Sequence, residues 1–460
     1  MSEKVEVLLL TTPRPPHLSP TAVQVSENSA PPLGLLCVAA ALEEAGFSVA
    51  VYDFYQLGGK PRDVADLVAR YQPRLIGISA LTSSVHLSVA MCRHVRAVAP
   101  DVVTVIGGPH ATAVPEDLLS HPEVDFVVRG EGEQTAVELM RALRPGRDRS
   151  ALSLLPGLAF RDGRGVVLTP ERPPMDFDQL PLPARHLVPM ERYLQQGALV
   201  SSRGCTYRCW FCSSVTFNTH RYRYRSNALV VAEMDLLCDR FGVRSFEFIE
   251  DTFTCVPERV LGLCRLLSDR EYEWSCQATI PDLEEHPELI AAMVRAGCRG
   301  LFFGIESGND QVLKKIKRMS RRKVIDTIDR ARREGIRHLV TSFIIGHPWD
   351  TRETIADTLS LILELRSRGA HTPVSILVPF PGSPIAKWPE RFGITIHSRN
   401  WAEYHYNRAL ISTPHLRREE LEEIYFELLE AVTATYGPRD GRGSLSRSRV
   451  HSSLEFLAKG

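Results

Sequence analysis

Ala198-Leu-Val-Ser201-Ser-Arg-Gly-Cys205-Thr-Tyr-Arg-Cys209-Trp-Phe-Cys212 sets an apolar, strand-like run directly before three cysteines spaced C-x3-C-x2-C. Arg203-Gly204 lets the chain turn off the strand. Downstream to about residue 390, strand and helix patterns alternate. Candidate strands are Ala198–Ser201, Ser245–Ile249, Glu273–Ala278, Gly300–Gly304, His338–Ile345 and Pro373–Leu377. Helical spacing recurs near 227–241, 257–269, 286–296, 309–317, 321–334 and 352–368. Six such units predict a partial barrel, a (β/α)8 barrel short of two units. Barrel enzymes place their reactive groups at the C-terminal ends of the strands, and the cysteine loop follows the first strand at that end. Four-iron clusters normally take four thiolates, and this loop supplies three, which leaves one iron open to a ligand. Zinc, with His220 or a distant cysteine as fourth ligand, is the competing reading of the same thiols. The barrel pattern around them favours iron and sulfur.

Upstream, residues 1–145 also alternate. Val5–Leu10, Ser48–Tyr52, Leu75–Ser79, Val102–Ile106 and Phe126–Val128 read as strands buried on both faces. Helices are expected at Leu33–Ala45 and near 60–71, 84–98 and 133–143. The pattern predicts an α/β domain with a doubly wound parallel sheet, whose ligands bind beyond the carboxyl ends of the strands. Those ends carry Thr82-Ser83-Ser84, Gly107-Gly108-Pro109-His110 and Gly130-Glu131-Gly132-Glu133, small or glycine-rich turns that admit a bulky ligand. Residues 146–195 are proline-rich and aperiodic, as in a linker that packs on its neighbours. A small helical segment is expected over 391–436, with a helix near 417–435, and a mobile Arg/Ser/Gly tail over 437–460.

Lys+Arg and Asp+Glu both number 55, so the formal net charge is zero and no basic excess points to a nucleic-acid partner. His220-Arg-Tyr-Arg-Tyr-Arg225 alternates basic and aromatic residues, but its place after the cysteine loop favours a structural strand. No apolar run approaches the roughly 18–20 residues of a membrane span, and the start lacks the features of a signal peptide. These features predict a cytoplasmic chain with no membrane partner, whose ten cysteines are reduced.

The three cysteines, with aromatic Phe211 before the last, resemble the radical S-adenosylmethionine (SAM) signature. The resemblance implies a [4Fe–4S] cluster on Cys205, Cys209 and Cys212. SAM would chelate the open iron through its amino and carboxylate groups. One electron to the sulfonium would then release methionine and a 5′-deoxyadenosyl radical. Other strand ends match the family too. Phe248-Ile-Glu250-Asp251 would meet the SAM methionine group through Glu250 or Asp251. Gly304-Ile-Glu306-Ser307-Gly308 resembles the segment beside ribose and carboxylate. Phe343-Ile-Ile345-Gly346-His347-Pro348 resembles the one that lies against adenine through its backbone. Pro379-Phe-Pro381-Gly382-Ser383-Pro384 resembles a turn common in the subfamily. One departure stands out. Many relatives carry an arginine after the third strand for the SAM carboxylate, and here the text is Gln277-Ala278-Thr279-Ile280.

The N-terminal half resembles the cobalamin-binding domain of the B12-dependent radical SAM subfamily, in Pro31-Pro-Leu-Gly-Leu-Leu and in the three strand-end turns above. The resemblance implies that Thr82, Ser83, Gly107, Gly108 and Gly130 line the nucleotide tail of cobalamin, with His110, against the corrin, and Glu131 also among the cobalamin-binding residues. The D-x-H-x-x-G motif that supplies a cobalt ligand elsewhere is absent. His17, in Pro15-Pro16-His17-Leu18, lacks the Asp two residues earlier. The expected activity is methyl transfer from SAM, through methylcobalamin, to an unactivated carbon of a small molecule. Cyclisation or rearrangement without methyl transfer, or radical SAM chemistry without cobalamin, are the alternatives. The expected partners are that substrate and an electron donor such as flavodoxin or ferredoxin. No catalytic residue beyond the cofactor sites is legible.

Overall fold

The computed structural model describes residues 3–15, 30–144, 149–218 and 221–436. His17, His220 and the tail over 437–460 lie outside the described residues. The chain divides into two compact units. One comprises 1–200, 214–229 and 233–243, the other 201–213, 230–232 and 244–460.

The first unit holds β1 (Val7–Thr11), α1 (Leu33–Glu44), β2 (Val49–Tyr52), α2 (Val64–Tyr71), β3 (Leu75–Ser79), α3 (Val85–Val98), β4 (Val103–Gly107), β5 (Phe126–Val128), α4 (Glu133–Ala142), β6 (Leu158–Asp162) and β7 (Gly165–Leu168). The sheet order is β2-β1-β3-β4-β5-β6-β7. β1 pairs in parallel with β2 and β3, and β3–β4–β5 continue in parallel. The order 2-1-3-4-5 is that of doubly wound nucleotide- and flavin-binding sheets. Leu8 and Leu10 are fully buried and Leu9 nearly so, because β1 has helices on both faces. One core joins Val7, Leu9, Leu35, Ala39, Val105 and Leu139 from β1, α1, β4 and α4.

Part of the stretch expected as a linker belongs to this sheet. β6 and β7 pair antiparallel with β5 and with each other. The prolines that hid them flank the hairpin rather than interrupt it.

The barrel strands are β8 (Ala198–Leu199), β9 (Ser245–Phe248), β10 (Glu273–Ala278), β11 (Cys298–Glu306), β12 (His338–Ile345) and β13 (Val374–Ile376). They form one six-stranded sheet, in the order β13-β12-β11-β10-β9-β8. Pairing is parallel from β9 through β13. The helices between them include α5 (Asn227–Phe241), α6 (Pro257–Leu267), α7 (Ile280–Glu285), α8 (Glu288–Arg295), α9 (Asp310–Lys317), α10 (Arg321–Glu334) and α11 (Arg352–Ser367). The last helix is α12 (Arg418–Tyr436). Before it the C-terminal segment adds a short antiparallel pair, Thr395–Ile396 with Ile411–Ser412, so this segment is not purely helical. No described helix is long and apolar enough to cross a membrane.

Gly297 turns α8 into β11, the strand that carries Glu306. Its φ is +94°, and an added Cβ would lie 2.0 Å from the Tyr272 carbonyl oxygen. Gly297→Ala is expected to cost about 2–5 kcal/mol, from left-handed strain plus overpacking. Urea denaturation would show this as a lower midpoint; an unchanged midpoint would contradict the turn's role.

Candidate active site

The cysteine loop is anchored before it begins. Glu250, at the end of β9, accepts hydrogen bonds from the backbone N–H of Ser201 and Ser202, both 2.8 Å, and from the Ser201 hydroxyl, 2.9 Å. Its side chain is fully buried, and Arg259 from α6 stands 3.6 Å from its other oxygen. Arg259 also donates to the Ser201 hydroxyl and stacks over Phe253. The Glu250 carboxylate is thus engaged with the root of the loop. Its neighbour Asp251 is exposed and close enough to Cys205 for its charge to act on the thiol. Of the two carboxylates singled out from the sequence, the geometry leaves Asp251 at the loop.

Burial pushes the Cys205 thiol up to about 11, with Asp251 and the other two cysteines adding to it. Burial raises Cys209 as well. Without iron these thiols are neutral, and cluster assembly must displace their protons. Among the described residues, no three His, Cys, Asp or Glu side chains converge as the ligands of a single ion would. A four-iron cube holds its thiolates further apart than one ion does, and three soft thiols on one short loop suit it.

The third strand end, where the arginine is missing, clamps the same loop. Tyr207 donates to Asp282 at 2.6 Å and lies 3.0 Å from the Thr279 hydroxyl. Thr279 caps α7, and Asp282 also accepts from Thr254 at 2.7 Å.

The fourth strand end holds a cation that the sequence did not flag. Lys317, the last residue of α9, donates to Glu306 at 2.8 Å and to the Gly304 carbonyl at 2.6 Å. Burial alone would lower its pKa, but Glu306 and the Cys209 and Cys212 thiols outweigh that and raise it. An added Cβ on Gly304 would meet Glu306 Oε1 at 2.3 Å and Lys317 Nζ at 2.7 Å, so the first glycine of the motif makes room for this pair. Glu306 has a φ of +74°, strained for a residue with a side chain, where the β11–β12 register shifts. Ser307 is buried, and its hydroxyl lies 3.4 Å from that of Thr358.

At the fifth strand end Ile345 is wholly buried. Asp350 accepts from the N–H groups of Gly346 and His347, both 2.9 Å, and fixes that turn. His347 is fully buried, and burial lowers its pKa to about 3. Its ring meets Trp210 and Phe211 edge-on at 5.5 and 5.8 Å, forming an apolar wall behind the cysteines.

In the first unit the strand-end turns sit side by side, after β3, β4 and β5. Thr82 lies 3.2 Å from His110 Nδ1, and His110 Nε2 is 3.7 Å from Asp117. His110 is fully buried. Ser83 is partly exposed beside Thr82. Gly107 and Gly108 do different things. An added Cβ on Gly107 would make ordinary contact with Val128, whereas one on Gly108 would lie 2.8 Å from the Ala80 carbonyl oxygen. Chain packing alone explains Gly108. Gly130 has open space where a Cβ would stand, and its N–H donates to Thr112. Glu131 pairs with Arg223 and accepts from the Met175 N–H at 3.1 Å. Arg225 donates to the Leu180 carbonyl at 2.9 Å. Arg223 and Arg225 of the basic–aromatic stretch are therefore structural.

Two family models match the chain. The B12 binding domain covers residues 20–140 and the radical SAM superfamily covers 199–362. The chain belongs to the radical SAM enzymes that carry a B12-binding domain. An uncharacterised methyltransferase of Pyrococcus horikoshii is 29% identical over 410 residues, 87% of each chain. Cytidylyl-2-hydroxyethylphosphonate methyltransferase of Streptomyces wedmorensis is 29% identical over 372 residues, 69% of each chain. The enzyme shares its fold with TsrM of Kitasatospora setae, a radical SAM methyltransferase solved with cobalamin and a [4Fe–4S] cluster. That likeness has a TM-score of 0.71 at 19% identity and covers 100% of this chain and 99% of the other.

The enzyme's cofactors are a [4Fe–4S] cluster, SAM and cobalamin. It acts on a small molecule and draws on a reductant. Sequence reading missed Lys317, Tyr207, Arg259 and His347. Lys317 sits in a basic run that reads as solvated surface, and nothing local tells it from its neighbours.

Proposed function

We propose that this enzyme is a cobalamin-dependent radical SAM methyltransferase that moves a methyl group from SAM to an unactivated carbon of a small molecule in the cytosol. The observation that carries it is the three-thiol loop at the barrel's strand ends, with Asp251 beside Cys205 and Lys317 within reach of Cys209, in a chain that also has a B12-binding domain. Both relatives named above are called methyltransferases. When bound, the cluster supplies the electron that splits SAM, and cobalamin carries the methyl group.

Cys205, Cys209 and Cys212 hold three corners of the cluster. Asp251 accepts hydrogen bonds from the SAM ammonium. Lys317, held by Glu306, meets the SAM carboxylate, the role left vacant after β10. The backbones of Ile345 and Gly346 lie against adenine, and Ser307 steadies the Glu306 turn. Phe211 and His347 keep water from the thiolates, since a neutral buried imidazole adds no charge there. Thr82, Ser83, Gly107 and Gly130 line the cobalamin tail, and Gly108, His110 and Glu131 hold that edge in shape.

Anaerobic reconstitution tests the assignment. Expected are about four irons per chain, deoxyadenosine on adding SAM and reductant, bound corrinoid by absorbance, and label passing from methyl-SAM into product. One zinc per chain without SAM cleavage would overturn it. Corrinoid binding with deoxyadenosine but no methyl in the product would point to ring closure instead.

Lys317→Met should weaken SAM binding about 10–100-fold, the loss of one charge-assisted hydrogen bond. It also strands the Glu306 carboxylate. Glu306→Gln/Lys317→Met should therefore recover stability but not SAM affinity, measured by calorimetry on protein with its full iron. Unchanged affinity in both variants would remove Lys317 from the site.

A further inference from the structure

Residues 314–323 read Lys-Lys-Ile-Lys-Arg-Met-Ser-Arg-Arg-Lys, seven cations in ten residues with no acid, in a chain of zero formal charge. The run spans the end of α9, the turn and the start of α10. Internal pairing neutralises part of it. Lys317 binds Glu306, Arg321 binds Glu364 at 2.7 Å, and Arg322 stands 3.5 Å from Asp326. Lys314, Lys315, Arg318 and Lys323 are exposed and have no carboxylate at ion-pair distance among the described residues. Asp310, at the head of α9, accepts from the Arg321 N–H at 2.6 Å.

Helix electrostatics explain only half of this. Cations suit the C-terminus of α9, but the first turn of α10 carries Arg321, Arg322 and Lys323 with no acidic residue, against its dipole. Lys314 and Arg318 are also like charges four residues apart. Val312, Leu313 and Ile316 bury the other face of α9, so the charged face is held outward on a packed helix.

The patch touches the cluster loop through aromatic rings. Lys315 Nζ lies 4.7 Å from the centre of the Trp349 ring. Trp349 is half-buried and meets Trp210 edge-on at 5.6 Å. Trp210 is bonded in sequence to Cys209. A line of contacts thus runs from the basic surface to a cluster thiol.

We infer that this basic face docks a small acidic electron-transfer protein, with Trp349 and Trp210 bridging it to the cluster. The step moves one electron and no atoms. The donor's flavin or iron–sulfur centre is oxidised by one electron, and the cluster on Cys205, Cys209 and Cys212 is reduced by one. This rests on the cluster assignment proposed above. Opposite charge speeds such encounters and makes them salt-dependent, because exposed charges are screened beyond a Debye length of roughly 8–10 Å at physiological salt.

The probe is a purified flavodoxin, with binding to the reconstituted enzyme measured by calorimetry at two salt concentrations. Lys314→Glu/Lys315→Glu/Arg318→Glu should raise Kd at least about tenfold and remove the salt dependence. Deoxyadenosine formation with titanium(III) citrate should match wild type, while flavodoxin-supported formation falls in step with binding. If the triple variant is unstable, Lys314→Gln/Arg318→Gln should show the same pattern, weaker. Wild-type Kd in a folded variant would overturn the inference, as would a single-stranded RNA that binds this face more tightly and displaces flavodoxin. No titanium-supported cleavage in the wild type would fault the cluster assignment, and flavodoxin binding would still report on the face.

Discussion

Cys209→Ala is expected to abolish SAM cleavage while corrinoid binding persists. Losing an outer-shell partner of a metal site typically costs 10–100-fold, so losing one of three thiolates should cost more than about a thousandfold. The fold should tolerate the change. Cys209 is half-buried on a loop whose root is held separately by Glu250 and Arg259, and whose middle is held by Tyr207. Alanine removes one sulfur and breaks none of those bonds. The turns after β3, β4 and β5, proposed above to bind cobalamin, belong to the other compact unit. Three readings check this together: iron per chain, deoxyadenosine yield, and corrinoid absorbance after purification. Full iron content in the variant would remove Cys209 from the ligand set. Loss of corrinoid along with iron would mean that the variant had misfolded.

Arg259→Leu should be the most destabilising single change near the site. The Arg259 and Glu250 side chains are 1% and 0% exposed, so neither has water to fall back on. Removing one partner of a buried pair costs about 3–5 kcal/mol, because the remaining charge stays buried and uncompensated. For a unit of this size that is a drop of roughly 6–20 °C in Tm. Glu250→Leu/Arg259→Leu should recover much of the loss but not all, since Ser201 and Ser202 would still lack an acceptor. A thermal-melt double-mutant cycle measures both. The cycle also decides what Glu250 does. If Glu250→Gln leaves the melt unchanged yet removes SAM binding, the carboxylate serves the ligand and not the loop.

The alternation was legible in both sheets: strands of the first are buried on two faces and read as short apolar runs, and barrel strands alternate buried with partly buried positions. Leu75–Ser79, Phe126–Val128, Glu273–Ala278 and His338–Ile345 have the expected bounds. The β6–β7 hairpin was not legible. Its strands lie at the sheet edge and are half exposed, so they lack an apolar run, and prolines surround them. Site residues divided in the same way. The thiols and the G-x-E turn stand out by type and spacing. Glu250 and Asp251 are adjacent and chemically alike, and only packing tells them apart: one points at Arg259, the other stays in the open.

The sequence by itself determined the three-thiol loop and its place at a strand end, because cysteine number and spacing are local properties of one short stretch; the cofactors followed from the family resemblance that stretch carries. It also determined the order of the two α/β parts, because the parallel strands of both carry a burial pattern that reads in residue type. Only the tertiary structure decided which charges face the cysteine loop. Lys317 and Lys315 are two residues apart on one helix and read alike. One turns inward to Glu306 and the thiols, the other outward over Trp349. Helix phase and the packing of α9 make that choice, and neither is written in residue type.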